Sequence, residues 1–143
     1  MYNIDFNSPV PLFEQIEQKT RLAIATGEFP EGTTIPTVLD VAKATTINHI
    51  TVLKAYRRLT EEGLLSPMRG VGFTVVKGAK RKCETFRQNF FARRLEETLD
   101  EGKHGGLSPD EMREIFEAAL EKISATIPLS AARQIGTEDE RNE

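Results

Sequence analysis

The stretch TINHITVLKAYRRLTEEGLL, residues 46–65, leaves the backbone little choice. Asn48 is a strong helix N-cap residue, because its side-chain oxygen can accept an amide hydrogen that the first helical turn leaves unpaired. Ile47 before it and Val52 four residues after it have the spacing of a hydrophobic staple. Val52, Ala55, Tyr56 and Leu59 recur at helical spacing, and Gly63 ends the pattern. The sequence therefore predicts a helix to about Glu62 with one apolar stripe. Its other face carries Ile50, Leu53, Lys54 and Arg57, with His49 on the exposed first turn.

What surrounds this helix is nearly as constrained. MYNIDF alternates and is rich in β-formers, so a short strand is expected there until Pro9 and Pro11 interrupt it. Pro11 suits the first turn of a helix. Leu12, Phe13, Ile16, Ala23 and Ile24 recur near a 3.6-residue period and Gly27 closes that first helix. GEFPEGTTI reads as loop. Thr37 starts a second helix of about two turns, with Asp40 at the capping-box position and Val41 and Ala42 inward. After the third helix, LLSPM and GFTVV read as two strands joined by RGVG, whose glycines permit a tight turn.

Three helices followed by a β-hairpin, in that order, match a winged helix-turn-helix. In that arrangement the third helix fits the major groove of double-stranded DNA, while the hairpin reaches the minor groove or phosphates. The first turn of the third helix would offer amide hydrogens and polar side chains, and Lys54, Arg57 and Arg69 charge-assisted contacts. The charge distribution is compatible with this. Residues 1–82 carry 11 Lys and Arg against 8 Asp and Glu, whereas residues 83–143 carry 8 against 14. Screening confines each half's field to about 10 Å, so a basic front can hold a polyanion on an acidic chain.

The same residues resemble the N-terminal domain of GntR-family bacterial transcription regulators. The likeness runs over residues 9–76, through PLFEQI, GEFPEG, IPTVLD, TVLKAYRRLTEEGLL and RGVGFTVV. It implies a winged-helix repressor binding operator DNA as a homodimer, with Thr37, Thr51, Lys54, Arg69, Gly70 and Gly72 at contact positions, to which the place of Asn48 and Arg57 on the third helix adds two further candidates. Departures fall on the reading surface. Leu39 and His49 stand where the family pattern commonly has Arg, Ile50 where it has Asn, and Leu53 where a basic or polar residue is common. Arg reads guanine through a paired hydrogen bond and Leu cannot. Three readings stay open. Ile50 and Leu53 touch thymine methyl groups and favour an A·T-rich site; or they are merely tolerated at the edge; or strong DNA binding is lost and the fold is kept as a protein-interaction adapter.

Residues 77–84, KGAKRKCE, read as a basic, Gly-containing hinge. Beyond it Phe86, Phe90, Phe91, Leu95 and Leu99 recur along a helix ending near GKHGG. Ser108, Pro109 and Glu111 make a strong helix start: a cap, a proline at the first position and a capping-box glutamate. Met112, Ile115, Phe116, Ala119, Leu120, Ile123 and Ile127 continue on one face. Two such helices bury little alone, so their apolar faces are expected to meet those of a second copy. The tail from Pro128 is polar and expected to be disordered.

The expected fold class is α+β, mainly α: a winged helix-turn-helix over 1–78, a two-helix dimerisation domain over 79–127, and a tail over 128–143. The short C-terminal part is similar to the YtrA subfamily, and it leaves no room for a metabolite-sensing or aminotransferase-like domain. The sequence therefore leaves the signal, and any small-molecule effector, open. No lysine-centred cofactor motif, phosphate loop or nucleophile with a base is present, so neither catalysis nor a cofactor is expected. Cys83, His49 and His104 do not make a metal-ligand cluster, and Cys83 reads as a passive thiol. No apolar run approaches the ~20 residues needed to span a bilayer, and the N-terminus lacks a secretion signal, so a cytoplasmic protein is expected.

Overall fold

The computed structural model describes residues 2–126, in seven elements. These are α1 (Leu12–Thr26), α2 (Val38–Thr45), α3 (His49–Glu61), β1 (Leu65–Met68), β2 (Gly72–Val75), α4 (Ala79–His104) and α5 (Pro109–Ser124). The chain forms two compact units, one ending at Ala92 and one beginning at Arg93. Ile127 and the polar tail from Pro128 lie outside the described residues.

The first unit is organised around α3. Its stripe of Val52, Ala55, Tyr56 and Leu59 is fully buried, at about 1.5–3 kcal/mol for each large apolar side chain. Ile16 and Ile24 of α1, Val41 of α2, Leu65 of β1 and Val75 of β2 complete this core. The staple residues Ile47 and Val52 are both buried, as their spacing predicts. At the far end of α3 the Leu64 amide returns to the Leu59 carbonyl over 3.0 Å. Gly63 makes that closure in the left-handed region, φ +78°.

β1 and β2 pair antiparallel, Leu65 opposite Val75 and Met68 opposite Gly72. The hairpin is held from its other side by the loop before α2. The Gly32 amide donates to the Val75 carbonyl at 2.8 Å, and the Ile35 amide to the Phe73 carbonyl at 3.0 Å. An isolated bridge joins Thr34 and Thr74. The hairpin is thereby fastened to the entrance of α2.

Two expectations are corrected. Residues 2–6 of MYNIDF form no strand, since among the described residues no strand pairs with them. Instead Tyr2 and Ile4 pack on the core, and the Tyr2 hydroxyl lies 2.7 Å from Thr20 Oγ1 and 3.3 Å from the Tyr56 hydroxyl. The second correction concerns residues 77–84, where helix begins at Ala79 instead of a hinge. Ala79 and Cys83, one turn apart, are both 1% exposed in the core of the first unit. Those two small side chains dock the turn, and the lysines and arginine between them face solvent.

In the second unit the Ser108 hydroxyl caps α5, accepting from the Glu111 amide at 3.1 Å, with Pro109 at the first helical position. No residue of α5 is buried. Among the described residues no helix is long and apolar enough to cross a membrane.

Candidate nucleic-acid interface

The candidate surface is built by two helix starts and a turn. Thr37 Oγ1 accepts the Asp40 amide at 3.1 Å and Asn48 Oδ1 accepts the Ile50 amide at 2.9 Å. Each cap fixes where its helix begins and so which side chains its first turn presents. Between them the backbone turns at Thr46, a non-glycine residue at φ +59°. The Tyr56 hydroxyl donates to the Pro36 carbonyl at 2.8 Å, tying the middle of α3 to the approach to α2. Burial raises the pKa of that hydroxyl, with the neighbouring Tyr2 adding to the effect.

On this frame Leu39 is 69% exposed and Ile50 64%. Asn48, His49, Lys54, Arg57, Arg69 and Gly70 are exposed as well, whereas Thr37, Thr51, Leu53 and Gly72 are half-buried. The sequence reading grouped Leu53 with Ile50, and the structure separates them. Lys54 has a neighbour that periodicity does not announce. Its ammonium lies 3.9 Å from the ring centroid of Phe13 on α1, and the Arg58 guanidinium lies 5.0 Å from the same ring. Arg57 and Arg69 form no ion pair among the described residues.

The wing turn is closed by the Val71 amide donating to the Met68 carbonyl at 3.0 Å, with Gly70 at φ +77°. Gly72 lies at φ +124°, and a methyl group there would stand 3.7 Å from Thr37 Cγ2. The turn end of the wing thus lies beside the head of α2. Met68 and Val71 on the wing are about half exposed, an apolar pair that the strand pattern did not single out.

Behind this surface is a charged cluster. Arg21 on α1 donates to both carboxylate oxygens of Glu62, at 2.5 and 2.7 Å. Glu17 lies 3.0 Å from Arg58 Nε and 3.8 Å from Arg21. Burial raises the Glu17 pKa, although both arginines oppose the shift. The Arg21 guanidinium also covers the Phe86 ring of α4, 4.6 Å from its centroid, and Phe86 stacks on Phe90. Phe86 is therefore engaged within its own chain, which takes it out of the wholly partner-facing stripe expected from periodicity. Cys83 is buried, and desolvation pushes its thiol up to about 11.

In the second unit Leu95, Leu99, Met112 and Phe116, with Pro109 and Arg113, line an open apolar hollow of about 300 Å³. Ile115, Leu120 and Ile123 are 56%, 48% and 57% exposed, and Phe91, on the part of α4 belonging to the first unit, is 62% exposed. No group of three or more His, Cys, Asp and Glu able to hold a metal ion occurs among the described residues.

Three helices closed by a two-stranded hairpin, with the first turn of the third helix exposed, define a winged helix-turn-helix protein. Residues 12–75 match the bacterial regulatory proteins of the gntR family. Over those residues the chain is similar to that family. It is 27% identical over 127 residues to the HTH-type transcriptional repressor YtrA of Bacillus subtilis, covering 89% of this chain and 95% of YtrA. That likeness continues past the winged helix into the two C-terminal helices. The repressor NagR of the same organism is 33% identical over 75 residues, 52% of this chain but 31% of NagR. Among solved structures, a GntR family transcriptional regulator from Listeria monocytogenes aligns with a TM-score of 0.65 at 22% identity, covering 79% of this chain and 98% of that one. The relatives are transcription regulators rather than enzymes.

Proposed function

We propose that this protein is a homodimeric transcription repressor that binds an inverted-repeat operator in double-stranded DNA. The observation that carries the reading is the exposed first turn of α3, with Arg57 on that helix and Arg69 on the wing in no ion pair among the described residues. A helix of this width enters the major groove, and cations beside it hold phosphates. Repression is the activity named for YtrA and NagR.

The dimer follows from the second unit. A sixteen-residue amphipathic helix with no buried residue leaves Ile115, Phe116, Leu120 and Ile123 in water. Faces of this kind mark interfaces, and a two-fold axis lets one patch cover itself. Leu95, Leu99 and Met112 extend the apolar surface that this unit offers a second copy. Two recognition helices related by such an axis meet half-sites about one helical turn apart.

Selection from random duplexes followed by footprinting tests this reading. Inverted repeats with fixed spacing are expected, and recovery of only asymmetric or randomly spaced sites would count against it. Replacing Arg57 with Ala should weaken binding to all sequences similarly and lower the salt slope by about one. A protein that selects no sequence and is retained instead by another polypeptide would be the adapter, for which Leu39 and Ile50 supply the apolar contact surface.

A further inference from the structure

The front of α3 exposes an apolar side chain where a reader of purines would expose a forked donor. His49 and Ile50 are the exposed residues of its first turn, Thr51 is half-buried and Val52 is buried. Two polar groups beside it are engaged. Asn48 Oδ1 is held by the Ile50 amide at 2.9 Å, and the Lys54 ammonium is drawn 3.9 Å from the Phe13 ring centroid. The head of α2 repeats the pattern, for Thr37 caps its own helix at 3.1 Å while Leu39 stands 69% exposed. Neither Leu39 nor Ile50 belongs to the core or packs against it, so folding does not require either to be apolar.

A major groove offers few apolar features. Guanine, cytosine and adenine edges present only donors and acceptors there, and thymine alone adds a C5 methyl group. Arg57 lies two turns beyond Ile50 on the same helical face, and the turn end of the wing, which carries Arg69, lies beside Thr37. Cations flanking an isolated apolar contact fit a polyanion that carries methyl groups. They fit poorly against an apolar protein partner.

We propose that Ile50, assisted by Leu39, reads thymine methyl groups in the major groove, so that each half-site requires thymine opposite the first turn of α3. This rests on the DNA-binding reading above and specifies its sequence preference. His49 supplies the polar contact of the same turn.

The test uses the full-length protein and the best duplex recovered by random selection. Each thymine is replaced singly by deoxyuridine, which removes the methyl group and leaves base pairing unchanged. At one or two positions per half-site, loss of the methyl should weaken binding about fourfold. Ile50→Ala should abolish that discrimination at the position it contacts, binding thymine and uracil duplexes equally, and Leu39→Ala should do so at the other. Both side chains are exposed, and circular dichroism of the variants verifies that each remains folded. Selective binding that no deoxyuridine substitution alters, or methyl discrimination that survives both variants, overturns this inference and leaves the regulator reading standing. Failure to recover any preferred duplex overturns both.

Discussion

Glu17 shows how an individual charge can work against the fold that contains it. The residue is 4% exposed, and Oε1 has no hydrogen-bond partner despite Arg58 Nε at 3.0 Å. Lost hydration outweighs the ion pairs, and the folded pKa stands above the ordinary 4.5. A raised carboxylate pKa gives stability that is fully present below the unfolded value and is lost as pH rises through the folded one. Glu17→Gln should therefore gain on the native protein as pH climbs from about 4.5 through the raised value, in urea unfolding followed across that range. A constant difference would show that Glu17 does not titrate differently in the two states. Thr46 is a second local cost, a β-branched residue at φ +59°. Thr46→Asn should raise the thermal midpoint through relief of about 1 kcal/mol, since Asn tolerates the left-handed region. Cys83, buried with its thiol raised to about 11, should resist iodoacetamide at pH 8 until the protein is unfolded. The burial of Glu17 was not legible in the sequence, because a glutamate on a helix ordinarily faces water. The passive character of Cys83 was.

At the scale of elements, what could be read was whatever is decided locally. The caps Thr37, Asn48 and Ser108 each accept an amide two or three residues ahead, and such contacts need no knowledge of the rest of the chain. Ser108→Ala should accordingly cost about 1 kcal/mol, seen as lower helicity of the second unit on heating. The wing is also local, since its turn depends on Gly70 at φ +77°. Gly70→Ala should destabilise by about 1–2 kcal/mol and loosen the wing, with weaker DNA binding in a mobility-shift titration. Elements decided by distant partners were misread. The N-terminal segment has a strand's alternation, yet Tyr2 spends its hydroxyl on Thr20 and Tyr56. The start of α4 looked like a hinge because Ala79 and Cys83 are small and the residues between them are basic. The exposure of the interface was only partly legible for a similar reason. Ile50 and Leu53 are alike in one dimension, and only the packed structure leaves the first in water and half covers the second.

For the whole molecule, the apolar face of α5 is the feature that a lone chain leaves unexplained. Phe116→Glu combined with Leu120→Glu should convert the proposed dimer to monomers in light scattering behind size exclusion. Operator binding should then weaken more steeply than any single contact accounts for, because each half-site is engaged alone. A double variant that stays dimeric would move the interface elsewhere. The anchoring of α4 also governs how the protein can be dissected. Cutting at residue 78, where the hairpin ends and the composition changes, would strip Ala79, Cys83 and Phe86 from the body they shield and open a wound over Arg21. Ending the fragment at Ala92 keeps that seal intact, so the longer piece should melt as a single cooperative unit while the shorter one loses its sharp transition.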